Sequence, residues 1–190
     1  MENEQEVLYW AKGRFLFGKV VVCCSERGVR EIRFANEKKE RGNRENEQEL
    51  PLQAAGNSQK SGARLARKAL RELKEYEQGV LKRFTVPLDT GGTPFEKMVW
   101  GELMRIPYGK TSSYGEVARK VGNPRGALAV GMANSKNPIP ILVPCHRVIA
   151  SDGSLGGYAG GLIMKTQLLR LEHKQVMKRK SKSYTKANAR

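Results

Sequence analysis

The sequence predicts an α+β fold in two parts, a small sheet-plus-helix domain followed by a mostly helical domain. Short apolar runs punctuated by glycines fill residues 9–34, which is typical of antiparallel strands. Apolar residues recur at helical spacing in residues 63–78 and again in several later segments. Thr-Gly-Gly at 90–92 separates two stretches of different charge, so we place the domain boundary near residue 90.

The first domain, residues 1–90, is predicted to contain short strands, one helix and a polar loop. Residues 36–62 are rich in Asn, Glu, Gln, Lys and Ser, a composition that favours a long loop. Residues 63–78 form the predicted helix, and residues 80–87 have the pattern of a strand followed by a turn. The other predicted strands are residues 9–11, 15–17, 20–24 and 29–34.

The second domain, residues 91–173, opens with a helix-start signal. Thr93 can cap the helix, Pro94 suits its first position and Glu96 lies in its first turn. The segment Ile-Pro-Tyr-Gly-Lys at 106–110 ends this helix because proline and glycine disfavour its continuation.

Two short helices joined by a tight turn follow. Ser112 or Ser113 can cap the first, which ends near Lys120, and the second spans about residues 125–135. A helix, a glycine-containing turn and a second helix in a basic region form the pattern of a helix-turn-helix, whose second helix docks on DNA. The pattern predicts a winged-helix-like DNA-binding domain, although most helix pairs with tight turns bind nothing.

The charge of the chain is strongly positive and unevenly distributed. The net charge is +16, and residues 91–190 carry 17 basic and 5 acidic residues. Such a field favours polyanions, chiefly nucleic acid; the alternative is a surface merely rich in Lys and Arg, which normally keeps the two signs in balance. Residues 174–190 have seven basic residues and no acidic one, and we expect a disordered tail with non-specific attraction to phosphates.

Membrane and secreted classes are disfavoured by the sequence. No apolar stretch approaches the roughly 20 residues that span a bilayer, and the start of the chain is acidic and polar, unlike a signal peptide. Three cysteines, an odd number, argue against a disulfide framework. We expect a monomer without membrane association, intracellular in the cytoplasm, or in the nucleus of a eukaryote.

A cysteine and a histidine lie side by side at 145 and 146, after an apolar run. The thiolate is the reactive form of cysteine, and a neighbouring base can raise its fraction, whereas a plain buried cysteine serves packing alone. Prolines at 138, 140 and 144 predict an extended, rigid approach to the cysteine. Clustered glycines at 153–161 enclose Tyr158 and favour a loop that approaches a flat ligand closely.

Residues 93–173 closely resemble the O6-alkylguanine-DNA alkyltransferases, DNA repair proteins that act once. The resemblance implies that an alkyl group on guanine O6, and also on thymine O4, is transferred irreversibly to a cysteine of the protein itself, from a nucleotide flipped out of double-stranded DNA. The matching pieces are Ile106-Pro107-Tyr108-Gly109-Lys110, Ser113-Tyr114, Gly122-Asn123-Pro124, Ala129-Val130-Gly131, Asn137-Pro138, Pro144-Cys145-His146-Arg147-Val148, Gly157-Tyr158-Ala159-Gly160-Gly161 and Leu168-Leu169-Arg170-Leu171-Glu172.

The same resemblance assigns roles to individual residues. Cys145 is the nucleophile, His146 removes its proton through a water, Glu172 orients His146, and Tyr114 donates to guanine N3. The remaining implied residues fall into two groups, the guanine pocket and its structural support. The pocket is lined by Tyr114, Val148, Tyr158 and Ala159, and the support comes from Asn137 and Arg147.

The resemblance also implies DNA contacts on and beside the second helix of the pair. These residues are Arg125, Leu128, Ala129, Ser135 and Lys136. Leu128 departs from many members of the family, which carry an arginine there; a leucine can enter a base stack but cannot donate a hydrogen bond. We expect no cofactor and no metal, since Cys23 and Cys24 alone make a poor zinc site.

Three alternative functions stay open at this point. An alkyltransferase-like protein would bind the lesion without transfer, although such relatives lack the cysteine that Cys145 supplies. A DNA-binding regulator would use the helix pair alone and would not require Tyr114, Cys145 and Glu172 together. A cysteine hydrolase would need an oxyanion site, and the sequence has no pattern for one.

Overall fold

A computed structural model describes residues 8–35 and 60–187 of the chain. The chain divides into two compact units, with the division between Gly91 and Gly92. Most of the polar loop predicted for residues 36–62 lies outside the described residues.

The N-terminal unit contains a three-stranded antiparallel sheet. Its strands are β1 (Tyr9–Phe15), β2 (Gly18–Cys24) and β3 (Val29–Ala35), in that order across the sheet. β1 is one strand that runs through Gly13, where the sequence analysis predicted two. The turn between β1 and β2 places Gly18 at a φ of +113°, a conformation that glycine adopts without the steric cost other residues have.

Helix α1 (Ser61–Glu77) packs its small residues against β1. Ala66, Ala69 and Leu73 are fully buried on this face, because their spacing of three and four residues places them on one side of a helix. The helix predicted for residues 63–78 is therefore present, and it begins two residues earlier than predicted.

The strand predicted within residues 80–87 is absent from the structure. The carboxylate of Glu72 in α1 accepts hydrogen bonds from the backbone N–H groups of Thr85 at 2.8 Å and Val86 at 3.2 Å. In a strand these backbone N–H groups would donate to the carbonyls of a neighbouring strand. Here the Glu72 carboxylate accepts them instead, so no strand forms. The sequence pattern could not reveal this competition.

The C-terminal unit is mostly helical. β4 and β5 pair in parallel, and the described residues of this unit contain no antiparallel hairpin, so the winged-helix detail stays a prediction. Its elements are α2 (Pro94–Arg105), β4 (Ser112–Ser113), α3 (Tyr114–Lys120), α4 (Ala127–Ser135), a 3-10 turn (Cys145–Arg147), β5 (Val148–Ile149) and α5 (Gly161–Ala187).

Reciprocal caps begin two of these helices. At α2, Glu96 N–H donates to Thr93 Oγ1 at 3.3 Å, and Thr93 N–H donates to Glu96 Oε2 at 2.9 Å. At α3, Ser113 is the cap, and its hydroxyl oxygen accepts from Glu116 N–H at 3.1 Å. Such capping boxes fix where a helix starts, and this one makes Tyr114 the first residue of α3.

The segment before Cys145 turns sharply, whereas its prolines predicted an extended approach. Val143 N–H donates to Ile139 O at 2.9 Å, and Ile141 at the turn has a φ of +75°. A β-branched residue with positive φ is strained; burial of Ile141, which is 1% exposed, holds it there. The prolines rule out a helix, as expected, but do not impose an extended chain.

Helix α5 continues to Ala187, which differs from the disordered tail predicted for residues 174–190. The reason lies in composition, because no glycine or proline occurs between Leu162 and Ala187 to end the helix. Residues 188–190 lie outside the described part. No helix within residues 8–35 and 60–187 has the length and apolarity needed to cross a membrane.

Candidate active site

Cys145 lies at the start of the 3-10 turn and is only 5% exposed. The amide of Asn137 donates from Nδ2 to the Cys145 Sγ at 3.1 Å and to Val143 O at 2.9 Å. Its Oδ1 accepts from Ile139 N–H at 3.0 Å. Asn137, two residues after the end of α4, therefore closes the turn before the cysteine and also contacts the sulfur.

Glu172 of α5 is the centre of a buried charged cluster. Its carboxylate lies 3.0 Å from His146 Nε2 and 2.8 Å from the Arg147 guanidinium nitrogen Nη2. Gly109 N–H donates to the other carboxylate oxygen at 2.7 Å. Arg147 also donates to Ile106 O at 2.7 Å, so the cluster ties α5 and the end of α2 to the turn that carries Cys145.

This environment fixes the charge of Glu172. Burial alone would raise the pKa of its carboxyl, but the hydrogen bonds and charges of His146 and Arg147 outweigh burial and lower the pKa from 4.5 to about 2. Glu172 is therefore ionised throughout the physiological range. A carboxylate only accepts hydrogen bonds, so His146 donates from Nε2.

That tautomer leaves His146 Nδ1 as an acceptor. Within the described residues, Nδ1 is buried and has no hydrogen-bond partner from the protein. Burial lowers the pKa of His146, and Glu172 opposes this only in part. His146 is therefore a neutral imidazole with a free lone pair, held by a carboxylate, which is the form a general base requires.

Tyr114 connects the helix pair with the glycine loop. A Cβ placed on Gly156 would lie 2.7 Å from Tyr114 Oη, and one placed on Gly131 of α4 would lie 3.8 Å from the ring. Burial, followed by the charge of Cys145, raises the pKa of Tyr114, so its phenol stays protonated and can donate. Tyr158 is half-buried with its ring at right angles to His146, the centroids 6.4 Å apart.

Comparison with known proteins decides the family. Residues 94–174 match the family described as 6-O-methylguanine DNA methyltransferase, DNA binding domain. A methylated-DNA–protein-cysteine methyltransferase from Methanosarcina acetivorans is 42% identical over 165 residues, which cover 87% of this chain and 98% of the relative. This chain belongs to the methylated-DNA–protein-cysteine methyltransferase family.

Further relatives agree with that assignment. The corresponding protein of Mycobacterium leprae is 54% identical over 109 residues, covering 57% of this chain and 66% of the relative. A crystal structure of the Mycobacterium tuberculosis OGT in complex with DNA has a TM-score of 0.73 at 36% identity, covering 87% of this chain and 93% of that one. The predicted family and α+β fold are confirmed.

The residues predicted to bind DNA in this methyltransferase lie on and beside α4. Arg125 and Leu128 are exposed, and Ala129 is half-buried. Ser135 is exposed and donates its hydroxyl to Met132 O at 2.7 Å, while Lys136 lies 2.9 Å from Glu96 Oε1. Glu96 therefore neutralises part of the Lys136 charge. Of the two cations in this set, Arg125 then offers the larger net positive charge to a phosphate.

Lys165 is the site residue that the sequence analysis missed. It is fully buried on α5, and its ammonium donates to Val148 O at 2.7 Å, to Leu155 O and to Gly157 O at 3.5 Å. A signal was present, because Lys165 shares a helix face with Leu168 and Glu172. Lysine is rarely buried, so the pattern alone did not single it out.

The other residues predicted to line the guanine pocket differ in exposure. Val148 is fully buried in β5 and Ala159 is exposed in the loop.

In the N-terminal unit, Cys23 and Cys24 are both buried in β2, and burial raises the pKa of Cys24 to about 12. Across residues 8–35 and 60–187, no group of three or more His, Cys, Asp and Glu side chains could hold a metal ion.

From the protonation states of Cys145 and His146 we expect a transfer rate that is nearly independent of pH. Burial raises the pKa of Cys145 above 9.0 and lowers that of His146 below 6.5. From about pH 6.5 to 9 Cys145 therefore stays a thiol and His146 a neutral base, the pair from which the proposed proton transfer starts. We expect less than about a threefold change in the single-turnover rate over this range. A tenfold rise for each pH unit above 7 would instead indicate attack by a freely ionising thiolate.

Proposed function

We propose that this chain repairs O6-alkylguanine in double-stranded DNA by moving the alkyl group to Cys145, once per molecule. The observation that carries the proposal is a buried thiol held by Asn137 beside a histidine that is paired with Glu172. The family matched by residues 94–174 supplies the substrate class. O4-alkylthymine presents the same kind of alkyl–oxygen bond.

The reaction is an in-line displacement at the alkyl carbon. A bond forms between Cys145 Sγ and this carbon while the bond from carbon to guanine O6 breaks. His146 takes the thiol proton through a water, and Glu172 stabilises the imidazolium that results. A thioether has no evident route back to a thiol, so each molecule acts once.

The leaving guanine gains electron density and needs a proton. Tyr114 gives the proton from Oη to ring N3 and recovers one from solvent. In total, the Cys145 thiol proton goes to His146 and the guanine receives a proton from Tyr114. Val148, Tyr158 and Ala159 line the pocket for the base, and Asn137 and Arg147 keep the turn that carries Cys145 in place. The base reaches this pocket only after leaving the duplex.

DNA is the partner, and the C-terminal unit is the part that holds it. Arg125 and Lys136 contact phosphates, while Leu128, Ala129 and Ser135 lie towards the bases. One nucleophile and one helix pair per chain are sufficient, so the protein acts as a monomer. Its substrate assigns it to the compartment that holds DNA, the cytoplasm of a prokaryote or the nucleus of a eukaryote.

Mass spectrometry after incubation with a duplex containing O6-methylguanine tests the proposal. We expect one added methyl group per molecule on the Cys145 peptide, and an amplitude that never exceeds the amount of protein. Cys23 and Cys24 serve as internal controls and stay unmodified, because both lie in β2 and neither is followed by a histidine paired with a carboxylate, as Cys145 is. Lack of transfer, or transfer that persists in Cys145→Ala, would refute the proposal.

A further inference from the structure

One face of α4 exposes two large apolar side chains. Leu128 is 81% exposed and Met132, one turn later, is 57% exposed. The opposite face of α4 is packed, since Val130 is fully buried and Ala133 is 2% exposed. The two exposed residues, here called the α4 ridge, therefore project from a helix whose other side is anchored.

The α4 ridge lies on a helix without charge. No Asp, Glu, Lys or Arg occurs between Ala127 and Ser135, and cations stand only beside the helix, at Arg125 and Lys136. Phosphate contacts position a protein on DNA, whereas side chains that enter the stack or the groove act on the bases. The arrangement separates the two tasks, with the cations Arg125 and Lys136, the second partly neutralised by Glu96, on either side of an apolar ridge.

The α4 ridge also borders the candidate active site. Gly131 lies between Leu128 and Met132 in the chain, and the Tyr114 ring lies against it, 3.8 Å from where a Cβ would be. The hydroxyl of Tyr114 in turn lies next to Gly156 of the glycine loop. Tyr114 therefore links the ridge to the glycine loop, on the route that the proposed function gives the flipped base.

We propose that Leu128 and Met132 together fill the gap that the flipped nucleotide leaves, and that repair is therefore indifferent to the base opposite the lesion. The inference rests on the proposed function. Apolar side chains inserted between base steps replace lost stacking. Neither side chain can donate a hydrogen bond. The unpaired base on the opposite DNA strand is therefore contacted by apolar atoms but not distinguished by hydrogen bonds.

Single-turnover rates on four duplexes test the inference, with O6-methylguanine placed opposite C, T, A or G. We expect the four rates to agree within about threefold. Replacing Leu128 with arginine adds a donor and should create a preference among the opposing bases of about tenfold or more. A wild-type preference of tenfold or more, or an arginine variant as indifferent as wild type, would overturn the inference.

The double variant Leu128→Ala, Met132→Ala tests the filling role. We expect duplex repair to slow about 10–100-fold. The reaction with a single-stranded oligonucleotide loses only the DNA contact of Leu128 and should slow by at most about threefold, because no gap has to be filled there. Leu16→Ala is the matched control, since Leu16 is 79% exposed in the N-terminal unit and should leave both rates unchanged.

The two substrates separate the possible failures. If wild type transfers nothing from the single strand or from the duplex, the proposed function fails. If the single strand reacts and the double variant repairs duplex DNA at the wild-type rate, only the present inference fails. Fluorescence of 2-aminopurine next to the lesion gives a second readout, and we expect the double variant to lose the increase that unstacking produces in wild type.

Discussion

Replacing Glu172 with glutamine is expected to lower the free energy of unfolding by about 3–5 kcal/mol and the transfer rate at least about 100-fold. The carboxylate is fully buried and is the shared partner of His146, Arg147 and Gly109 N–H. Glutamine keeps the shape but leaves the Arg147 guanidinium without its counter-ion. Chemical denaturation and single-turnover transfer measure the two effects.

The pKa of Glu172 supports this magnitude. A folded-state pKa of about 2, against 4.5 in an ordinary carboxyl, corresponds to about 3 kcal/mol of stabilisation at neutral pH. Because the pKa is depressed, this stabilisation is fully present above pH 4.5 and is lost as the pH falls towards 2. The Glu172→Gln variant should lack that part of the acid sensitivity.

Glu102→Gln is the matched control for Glu172→Gln. Glu102 is also a buried carboxylate, at 6% exposure, but its partners Arg105 and Lys120 are exposed at 78% and 55% and regain water when the charge is removed. We expect a loss of about 1 kcal/mol or less and an unchanged transfer rate. Equal losses in the two variants would contradict the central role assigned to Glu172.

Local signals in the sequence predicted the helix starts well. In the pairs Thr93–Glu96 and Ser113–Glu116, each side chain accepts a hydrogen bond from the backbone N–H of the other residue. Both partners lie within four residues of chain, so no distant contact is needed to recognise them. Both Ser112 and Ser113 were candidate caps, but only Ser113 stands three residues before Glu116, whose backbone N–H it accepts, whereas Ser112 donates its hydroxyl to the Glu116 carboxylate at 2.9 Å. This choice was therefore also within reach of a local signal.

Long-range contacts explain what the sequence could not predict. The predicted strand within residues 80–87 is absent because a carboxylate of α1 accepts hydrogen bonds from its N–H groups. The turn at Ile141 depends on the burial of that side chain and on the Asn137 hydrogen bonds that close it. The positions of Cys145, His146 and Glu172 relative to one another were expected only from the family resemblance. Their catalytic roles stay predictions, which single-turnover transfer by the variants tests.

Replacing Lys165 with methionine is expected to slow transfer about 10–100-fold, because it releases the glycine loop from the turn that carries the nucleophile. The Lys165 ammonium holds Val148 O beside that turn, and Leu155 O and Gly157 O within the loop. Methionine fills a similar volume but donates no hydrogen bond. Each buried carbonyl left without a donor costs about 1–3 kcal/mol, so the loop should move to reach water.

Two comparisons distinguish a positioning role of Lys165 from general loss of charge or stability. Lys97→Met removes an exposed lysine of α2, changes the net charge equally and should leave the rate unchanged. Lys165→Arg keeps donors and charge and should recover part of the lost activity. The charge of Lys165 also acts to lower the pKa of Cys145, so in Lys165→Met this pKa should rise further above 9.0 and thiol alkylation by iodoacetamide should require a higher pH. A methionine variant with the wild-type rate and the wild-type alkylation profile would show that Lys165 serves packing alone.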